Sequence, residues 1–315
     1  MMETSVIIPT YQRTSDLQRC LEGLSKQYHV PDEVIIVVRD TDKETINFLK
    51  EYKTSLLIKE TLVTSPGQVA ALNTGLGASS GEFICILDDD TFPHPQWLKR
   101  IIAVFRSSEQ VGGVGGRDWV IHESKTENGR REIVGKIQWF GRVIGNHHLG
   151  HGDPRDVDVL KGANMSFRRK AIEGLSFDER LLGKGAQVHN DMAFSLSVKR
   201  RGWRLVYDPD IAVDHFPAQR FDLDKRDMFN KEAYYNGVYN ETLIMFDFMQ
   251  KPFQRVICVM WWILIGTKHR PGLLQFFRLL VMKPNNQLVK RFTINLRTRF
   301  KANYLRKKLI RSLTQ

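Results

Sequence analysis

The feature that most constrains the fold is a succession of short apolar runs separated by amphipathic helical patterns. Residues 5–9, 33–38 and 83–87 are almost wholly apolar, which is the composition of strands buried on both faces of a sheet. A further short strand is expected at residues 56–58, and a helix at residues 97–105. Strands that alternate with helices over short connections predict an α/β fold, with a mostly parallel sheet flanked by helices.

Three consecutive carboxylates, Asp88, Asp89 and Asp90, directly follow the third apolar run. Adjacent acids at a strand end repel one another, and they persist most easily where a cation or hydrogen-bond donors share the charge. An acidic, solvated turn is the alternative interpretation. Polar residues also end the first two strands, at Thr10 and Asp40. Because ligands bind at the carboxyl ends of parallel strands, the sequence favours a site at this edge.

The net formal charge of +12 is unevenly distributed along the chain. No Asp or Glu follows Asp247, and residues 248–315 contain 15 Lys and Arg. The first 247 residues hold 32 Lys and Arg against 35 Asp and Glu, a net charge of −3. The basic character therefore belongs to the C-terminal region and needs its own explanation.

The three cysteines, Cys20, Cys85 and Cys258, are scattered without a CxxC pair. This usage predicts a reducing compartment and argues against a disulfide framework or a thiolate zinc site. The first residues run directly into a strand pattern without a charged segment and a long apolar stretch, so we expect no signal peptide.

Glycine-rich phosphate-binding loops are missing from the sequence. No GxGxxG follows the first strand, and GxxxxGK[ST] occurs nowhere. If a nucleotide diphosphate binds, a divalent cation held by the three aspartates would neutralise it, since hard cations take oxygen ligands and are often shared with substrate phosphates.

Several stretches together resemble the family 2 glycosyltransferases of the GT-A fold, a Rossmann-like sheet flanked by helices. The resemblance covers about residues 4–220, and it is carried by residues 6–11, 31–37, 67–75, 87–90 and 93–98. It implies an inverting transfer of a sugar from a UDP-, dTDP- or GDP-linked donor, and a DXD-type metal site for Mn²⁺ or Mg²⁺.

By position, the resemblance assigns contacts with the nucleotide sugar to strand ends and the loops after them. These residues are Pro9, Thr10, Tyr11, Arg13, Asp40, Gln68, Asn73, Asp88, Asp89, Gly162 and Asn164. The chain departs from the family twice. The second strand ends in Arg-Asp-Thr-Asp at residues 39–42, where an Asp-Asp-Gly-Ser turn is usual, and Leu72 occupies a position that is commonly Arg. Arg13 and Gln68 are the candidates to replace that basic contact.

Asp90 and His215 are assigned to the metal by the same resemblance. A lone histidine is more often structural than a ligand. His215 nevertheless ends the last predicted strand, where family members have a histidine that completes the metal site. Two protein ligands leave positions for phosphate oxygens and water.

Asp191 is assigned to catalysis, as the base that takes the proton of an acceptor hydroxyl, a step worth roughly 10²–10⁴-fold in rate. Family members have an acidic pair here, whereas this chain has Asn190 before Asp191. One carboxylate suffices for a single-displacement, inverting reaction. The alternative is that Asn190 or Asp191 only caps the following helix. Asn190 and Trp203 are assigned to the acceptor side.

A histidine-rich stretch with His147, His148 and His151 lies in the less regular residues 111–158. Its spacing fits no closed zinc site, and glycines surround it. A mobile lid or an acceptor wall is therefore expected.

The C-terminal region combines apolar, aromatic and basic residues. Its most apolar stretch, residues 256–265, is too short to cross a bilayer, which needs about 20 residues. Apolar helices with cations and no acids predict peripheral binding to an anionic membrane surface. Trp261 and Trp262 favour lipid over nucleic acid, so no nucleic-acid partner is expected. Helices that pack on the catalytic domain, or a re-entrant hairpin, are the alternatives.

Together these observations predict a GT-A catalytic domain at residues 1–225, with a nucleotide-binding half to about residue 110 and an acceptor half after it. Residues 226–315 form the helical, basic extension. The expected function is metal-dependent transfer of a sugar to a lipid-linked or polysaccharide acceptor, in polysaccharide biosynthesis, at the cytoplasmic face of the cell membrane. A nucleotidyltransferase, or a non-catalytic protein that binds membrane or nucleic acid, are the alternatives.

Overall fold

The computed structural model describes residues 2–122, 125–218, 229–282 and 285–313 of the 315-residue chain. The strands are β1 (Thr4–Thr10), β2 (Glu33–Arg39), β3 (Ile58–Val63), β4 (Phe83–Leu87), β5 (Thr91–Pro93), β6 (Val111–His122), β7 (Lys125–Thr126), β8 (Lys136–Ile137), β9 (Val143–Ile144), β10 (Arg155–Val157), β11 (Asn164–Arg168) and β12 (Arg204–His215). The helices are α1 (Thr14–Ser25), α2 (Lys43–Glu51), α3 (Gln68–Ala78), α4 (Trp97–Ser107), α5 (Arg169–Ile172), α6 (Asn190–Arg200), α7 (Lys231–Phe248), α8 (Pro252–Leu264), α9 (Leu273–Met282) and α10 (Asn286–Leu313). The chain divides into two compact units. The first comprises Met1–Lys136, Ile144–Glu179 and Asn190–Gln219, and the second comprises Ile137–Val143, Arg180–His189 and Arg220–Gln315.

A ten-stranded mixed sheet organises the first unit. Its main path runs β10-β12-β6-β11-β4-β1-β2-β3, with β5 paired to β12 and β7 to β6. The strands β3, β2, β1 and β4 are mutually parallel, and β12 is parallel to β6. The predicted α/β fold with flanking helices is confirmed. The sheet is less uniformly parallel than expected, because β11 runs antiparallel to both β4 and β6.

The register of the strands brings their polar ends together. Thr10 at the end of β1 pairs with Val38 of β2, and Ile7 pairs with Ile86 of β4. At the far end of β12, His215 pairs with Thr91, the residue that directly follows the three aspartates. The fold thus places the histidine beside the acidic turn, although more than 120 residues separate them in sequence.

Helices α1 and α4 pack their apolar residues into the main core of this unit. Leu17, Leu21, Trp97, Ile101 and Phe105 are fully buried there against the apolar faces of the strands. Burying each such side chain stabilises the fold by about 1.5–3 kcal/mol. The apolar spacing of three to four residues in both helices explains why each buries one face.

Glycines in β6 allow close packing with β12. A Cβ atom on Gly116 would lie only 1.7 Å from the carbonyl oxygen of Ile211. The two strands pair in parallel, with an irregularity between Asp208 and Val213. This contact therefore requires a residue without a side chain at position 116.

One strand boundary differs from the prediction. The strand expected at residues 56–58 is β3, which begins at Ile58 and continues to Val63. Residues 59 and 60 are exposed, because β3 is the last strand at its edge of the sheet and presents no continuous apolar run. The last predicted strand, which His215 ends, is β12.

The second unit contains the helices α7 to α10 and a small core of its own. Met245, Phe246, Met249, Cys258 and Trp262 are buried in that core. The basic, helical C-terminal extension predicted from the charge distribution is therefore present. The predicted division at residue 225 falls within residues 219–228, outside the described part of the chain, and stays a prediction.

A buried ion-pair cluster links three parts of this second unit. The Glu241 carboxylate on α7 lies 2.8 Å from Arg270 and 2.6 Å from Arg299 of α10. The guanidinium of Arg299 lies 3.8 Å from the ring centroid of Trp262. Within the described ranges, no helix is both long enough and apolar enough to cross a bilayer.

Candidate active site

The three aspartates form a buried turn between β4 and β5. Asp89 and Asp90 expose only 2% and 3% of their surface, whereas Asp88 is half-buried. The hydroxyl of Thr91 donates a hydrogen bond to the carbonyl oxygen of Asp88 at 2.8 Å and holds the turn. This burial excludes the alternative of a solvated acidic turn, since buried carboxylates need compensating partners.

Asp89 receives its partners from the end of β1 and the loop after it. The Thr10 hydroxyl donates to Asp89 Oδ2 at 2.8 Å, and Arg13 Nη1 donates to Asp89 Oδ1 at 2.9 Å. Burial raises the pKa of Asp89 to about 7, against the opposing charge of Arg13. The structure therefore brings Thr10, Arg13 and Asp89 together as the sequence predicted, with the guanidinium at the partly exposed side.

Asp90 and His215 face each other across the ends of β4 and β12. His215 Nε2 lies 3.3 Å from Asp90 Oδ1, and the backbone N–H of Ala218 donates to Asp90 Oδ2 at 2.9 Å. Burial alone would raise the pKa of Asp90, but His215 and this backbone N–H lower it well below its usual range. Burial likewise opposes the charged form of His215, yet Asp118 and Asp90 raise its pKa to about 9.

A second carboxylate, Asp118 on β6, lies on the other side of the histidine ring. Asp118 Oδ2 is 3.3 Å from His215 Nδ1 and also accepts a hydrogen bond from Lys161 Nζ. Burial alone would raise the pKa of Asp118, but His215 and Lys161 lower it to about 2. Asp118 and Lys161 were not among the predicted residues. An acid inside a strand pattern, one residue after a glycine-rich run, was the available local signal for Asp118.

The residues at this edge fit a divalent metal ion. Ligand atoms of Asp88, Asp90 and His215 all lie within 4.8 Å of one another. Among the described residues, Asp90 Oδ1 and His215 Nε2 are buried and form no hydrogen bond with other groups; they face each other as an ion pair at 3.3 Å. Carboxylate oxygens with one imidazole nitrogen are suitable ligands for a divalent cation.

Asp191 lies in the first turn of α6, whose first residue is Asn190. Its Oδ2 accepts a hydrogen bond from the backbone N–H of Gly162 at 3.1 Å, and its Oδ1 accepts one from the N–H of Met192 at 2.8 Å. These two bonds fix the half-buried carboxylate. A carboxylate at a helix amino terminus is also favoured by the helix dipole.

A chain of side-chain amides joins α6 to the acidic turn. Asn190 Nδ2 donates to Gln68 Oε1 at 3.1 Å, and Gln68 Nε2 approaches Asp88 Oδ1 at 3.4 Å. Gln68 is the first residue of α3. The structure therefore brings Gln68, Asp88 and Asn190 together, and Asn190 replaces the first acid of the family pair with an amide that can donate.

Two residues that were predicted to contact the nucleotide sugar, Asn73 and Asn164, form hydrogen bonds with other parts of the protein. Asn73 clamps Phe177, with Nδ2 donating to the Phe177 carbonyl at 3.1 Å and Oδ1 accepting from its N–H at 2.7 Å. Asn164 is 1% exposed; Trp97 Nε1 donates to its Oδ1 at 2.9 Å, and its Nδ2 donates to the carbonyl of Ile211 at 2.8 Å. Their predicted contacts with the sugar stay predictions.

Of the remaining predicted residues, most lie at the carboxyl ends of strands and one does not. Pro9 and Tyr11 flank the end of β1, with Tyr11 41% exposed, and Asp40 follows β2, paired with Arg39 at 3.2 Å. Trp203 precedes β12 and packs beside Gly112, with the whole strand between it and His215. The structure does not bring Trp203 together with the other predicted residues, because it lies at the amino end of β12.

The histidine-rich stretch is anchored rather than free. His147 is buried, and its Nε2 lies 2.9 Å from the carbonyl oxygen of Val159. The Tyr207 hydroxyl donates to the carbonyl of His147 at 2.7 Å. Burial lowers the pKa of His147, as expected for a neutral, structural imidazole. The expectation of a mobile loop at this residue is wrong, because its imidazole and its carbonyl both have partners.

The sequence is similar to known glycosyltransferases over most of its length. Residues 2–231 match the family described as glycosyltransferase like family 2. Glycosyltransferase AglE of Haloferax volcanii is 26% identical over 272 residues, which cover 85% of this chain and 82% of AglE. Glucosyl-dolichyl phosphate glucuronosyltransferase of the same organism is 23% identical over 224 residues, 68% of this chain and 69% of that protein.

Solved structures show the same fold. S. aureus TarS 1–349 in complex with UDP-GlcNAc has a TM-score of 0.59 at 15% identity, covering 96% of this chain and 79% of TarS. The mannosyltransferase PcManGT from Pyrobaculum calidifontis, in complex with GDP-Man and Mn²⁺, has a TM-score of 0.56 at 15% identity, covering 96% of this chain and 87% of PcManGT. The predicted GT-A fold is confirmed. With the family match spanning the whole first unit, the chain belongs to glycosyltransferase family 2.

Proposed function

We propose that this enzyme transfers a sugar, with inversion, from a nucleotide diphosphate donor to a lipid-linked or polysaccharide acceptor. The observation that carries the proposal is the convergence of Asp88, Asp90 and His215 at the strand ends, with ligand atoms within 4.8 Å. Asp191 lies on the helix that is joined to this turn through Gln68. The PcManGT structure, which has the same fold, holds GDP-Man together with Mn²⁺.

Asp90 and His215, with Asp88 beside them, would hold a divalent cation, Mn²⁺ or Mg²⁺. When bound, the cation would supply positive charge to the leaving diphosphate. The atoms that support this assignment are Asp90 Oδ1 and His215 Nε2, which form no hydrogen bond beyond their mutual ion pair at 3.3 Å. Asp118 would fix the orientation of the His215 ring through its contact with Nδ1. Lys161 would in turn hold Asp118 in place through their ion pair.

The nucleotide would lie along the ends of β1, β2 and β4. Pro9, Tyr11 and Asp40 are the candidates for the base and ribose, and Asp88 and Asp89 for the ribose and diphosphate. Arg13 supports this arrangement because its guanidinium pairs with Asp89 while the side chain remains 21% exposed. It could therefore interact with a donor phosphate without leaving its carboxylate partner.

Asp191 would act as the base. Backbone N–H groups of Gly162 and Met192 fix both of its oxygens, and a fixed carboxylate can accept the proton of an acceptor hydroxyl as the sugar carbon is attacked. Its neighbour Asn190 is neutral, so one carboxylate serves one direct displacement. That stoichiometry supports inversion at the sugar carbon.

The proposed acceptor is a glycan or a lipid-linked glycan, and the proposed place of action is the cytoplasmic face of the cell membrane. One relative bears the name glucosyl-dolichyl phosphate glucuronosyltransferase, which supports a lipid-linked acceptor. The concentration of basic residues after Asp247 supports a negatively charged surface as the working environment.

Turnover of a panel of UDP-, dTDP- and GDP-sugars with Mn²⁺ tests the proposal, because water can take the place of the acceptor hydroxyl and nucleoside diphosphate is then released. We expect at least one donor to be cleaved, and Asp191→Asn to lower the rate by about 10²–10⁴-fold. Asp156→Asn is the matched control, since Asp156 pairs with Arg204 at an exposed position.

Three outcomes would overturn the proposal. Full turnover by Asp191→Asn would remove the assigned base. Formation of a nucleotide sugar from a nucleoside triphosphate and a sugar phosphate would indicate a nucleotidyltransferase instead. Absence of any metal-dependent nucleotide binding would indicate a non-catalytic protein.

A further inference from the structure

The outward face of α8 is apolar along its whole length. Phe253, Val256, Met260 and Leu264 are 73%, 56%, 53% and 43% exposed, and their spacing of three to four residues places them on one stripe. The opposite side of the helix buries Trp262, with Cys258 one turn before it. A helix at a water-facing surface normally has polar residues on its outer stripe. The apolar outer stripe of α8 therefore indicates contact with an apolar partner.

Helix α9 extends the same property. None of its residues is buried, and Leu274, Phe277 and Val281, which share one stripe, are 65%, 56% and 83% exposed. The turn between α8 and α9 is closed by backbone hydrogen bonds from Thr267 to Arg270 at 2.9 Å and from Gly272 to Ile265 at 3.0 Å. The two helices therefore form one helical hairpin with an apolar outer surface.

A tryptophan from another segment of the same unit lies near this hairpin. The ring of Phe140 lies 5.6 Å from Trp261 of α8, and Trp139 lies edge-on to Phe140 at 5.7 Å. Trp139 is 68% exposed. Trp side chains are favoured at membrane–water boundaries, where one end of the ring is apolar and the other is wet.

The charges around this surface are of one sign. Lys251, Lys268 and Arg278 are exposed on or beside the two helices, and no acid occurs after Asp247. A second copy of the chain would bring the same patch against itself, as a two-fold interface requires. Like charges would then face each other without an acid to pair with them. An anionic surface is complementary to these cations.

We propose that the outer surface of α8 and α9, together with Trp139, binds the surface of an anionic lipid bilayer. We call this surface the lipid-binding face. Its apolar side chains enter the boundary between headgroups and acyl chains, and its cations contact the headgroups. Each of the two helices exposes a stripe of large apolar side chains, and exposed apolar patches on soluble proteins commonly mark sites of interaction with proteins or membranes.

The lipid-binding face rests on the proposed function, because it names the surface that would bring the enzyme to the membrane. Its test uses the full chain with vesicles and without donor or acceptor, so a failure of vesicle binding and a failure of sugar transfer are separate results. Co-sedimentation is measured with vesicles of phosphatidylcholine alone and of phosphatidylcholine with phosphatidylglycerol. We expect at least about tenfold stronger partitioning into the anionic vesicles, reversed by salt.

Val256→Asp combined with Phe277→Asp tests the apolar part of the lipid-binding face. Both side chains are 56% exposed, and we expect this double variant to lose at least tenfold in partitioning. Val30→Asp with Leu57→Asp is the matched control, because these residues are similarly exposed, at 49% and 58%, in the first unit. Circular dichroism checks that both variants are folded.

A charge variant keeps the test decisive if the apolar variant unfolds. Lys251→Gln, Lys268→Gln and Arg278→Gln together should weaken anionic-vesicle binding by roughly 100-fold at low salt. Lys50→Gln, Lys53→Gln and Lys170→Gln, three exposed lysines of the first unit, remove the same charge elsewhere and should have little effect.

Two results would overturn the inference. The first is equal partitioning into neutral and anionic vesicles, or none into either. The second is a concentration-dependent dimer in light scattering that Val256→Asp with Phe277→Asp abolishes while vesicle binding is unchanged; the face would then be covered by a second copy of the chain.

Discussion

The Asp118 carboxylate contacts Nδ1 of His215, whereas Nε2 of the same ring is the proposed metal ligand. Asp118 is fully buried, it lies 3.3 Å from His215 Nδ1, and Lys161 pairs with it. A carboxylate behind a ligating histidine fixes the ring and strengthens the ligand, and its loss typically lowers metal affinity by about 10–100-fold. We therefore expect Asp118→Asn to weaken Mn²⁺ binding by that factor, measured by calorimetry on the full chain.

Asp156→Asn again serves as the control, because Asp156 is an exposed aspartate paired with Arg204. Its Mn²⁺ affinity should equal that of the unmodified chain. An unchanged affinity in Asp118→Asn would mean that His215 needs no orienting partner, and the role assigned to Asp118 would be wrong.

Individual site residues were predictable where they follow an apolar run. Asp88, Asp89 and Asp90 end a strand, and His215 ends another, so both positions are visible in sequence. Asp118 and Lys161 are much less visible. Asp118 meets His215 only once β6 and β12 have paired, and Lys161 contacts Asp118 across 43 residues of sequence. Trp203 shows the converse: its place next to a strand was readable, but which end of the sheet it occupies depends on strand direction.

The pairing of β6 with β12 depends on a residue without a side chain. We expect Gly116→Ala to destabilise the protein by about 2–3 kcal/mol or more, because its Cβ would lie 1.7 Å from the Ile211 carbonyl oxygen and the strands would have to move apart. Urea unfolding of the variant and the unmodified chain measures this difference.

Gly77 in α3 provides the matched control, as an added Cβ there meets nothing within 4 Å. Gly77→Ala should be neutral or stabilise by up to about 1 kcal/mol, since alanine favours helix. Equal stability of Gly116→Ala and the unmodified chain would show that β6 and β12 are not packed this closely.

Among the secondary-structure elements, those buried on both faces were predicted most accurately. The strand predicted at residues 83–87 coincides with β4. A short, continuous apolar run is typical of a strand that is buried on both faces of a sheet. β3 was displaced by several residues, since an edge strand with Lys59 and Glu60 exposed resembles a loop. Long-range strand order, including antiparallel β11 between β4 and β6, has no local signal.

The stability of the second unit should depend on pH through Glu241. Burial alone would raise the pKa of Glu241, but Arg270 and Arg299 lower it from 4.5 to about 2. Because the folded pKa is below the unfolded value, this stabilisation is fully present above about pH 4.5 and is lost as the pH falls towards 2. It is of the order of 3 kcal/mol.

Glu241→Gln tests this dependence, because glutamine has nearly the shape of the protonated acid. At pH 6 we expect the variant to be less stable by a few kcal/mol, and the difference should shrink steadily as the pH falls from 4.5 to 3. Denaturant unfolding followed by tryptophan fluorescence measures it, with Glu232→Gln, an exposed glutamate of the same helix, as the control. A difference that is independent of pH would contradict the charged pairing.

Acidic and basic residues are concentrated in different parts of the chain. An acidic first part holds the strand ends and the candidate metal ligands, and the last 68 residues hold 15 Lys and Arg without one acid. This division was predictable from composition, as was the family from its scattered motifs. Which apolar side chains of the C-terminal helices face outward was not, since that depends on how α7 and α10 cover the others.

Binding of nucleoside diphosphates with and without metal tests the central claim most directly. Asp90 and His215 would hold a divalent cation, which would supply positive charge to the donor diphosphate. Calorimetric titration of UDP, dTDP and GDP into the full chain should therefore show binding of at least one of them with Mn²⁺, weakened by about 100-fold or more with EDTA or in Asp90→Asn. Equal affinity with Mn²⁺ and with EDTA would contradict the account.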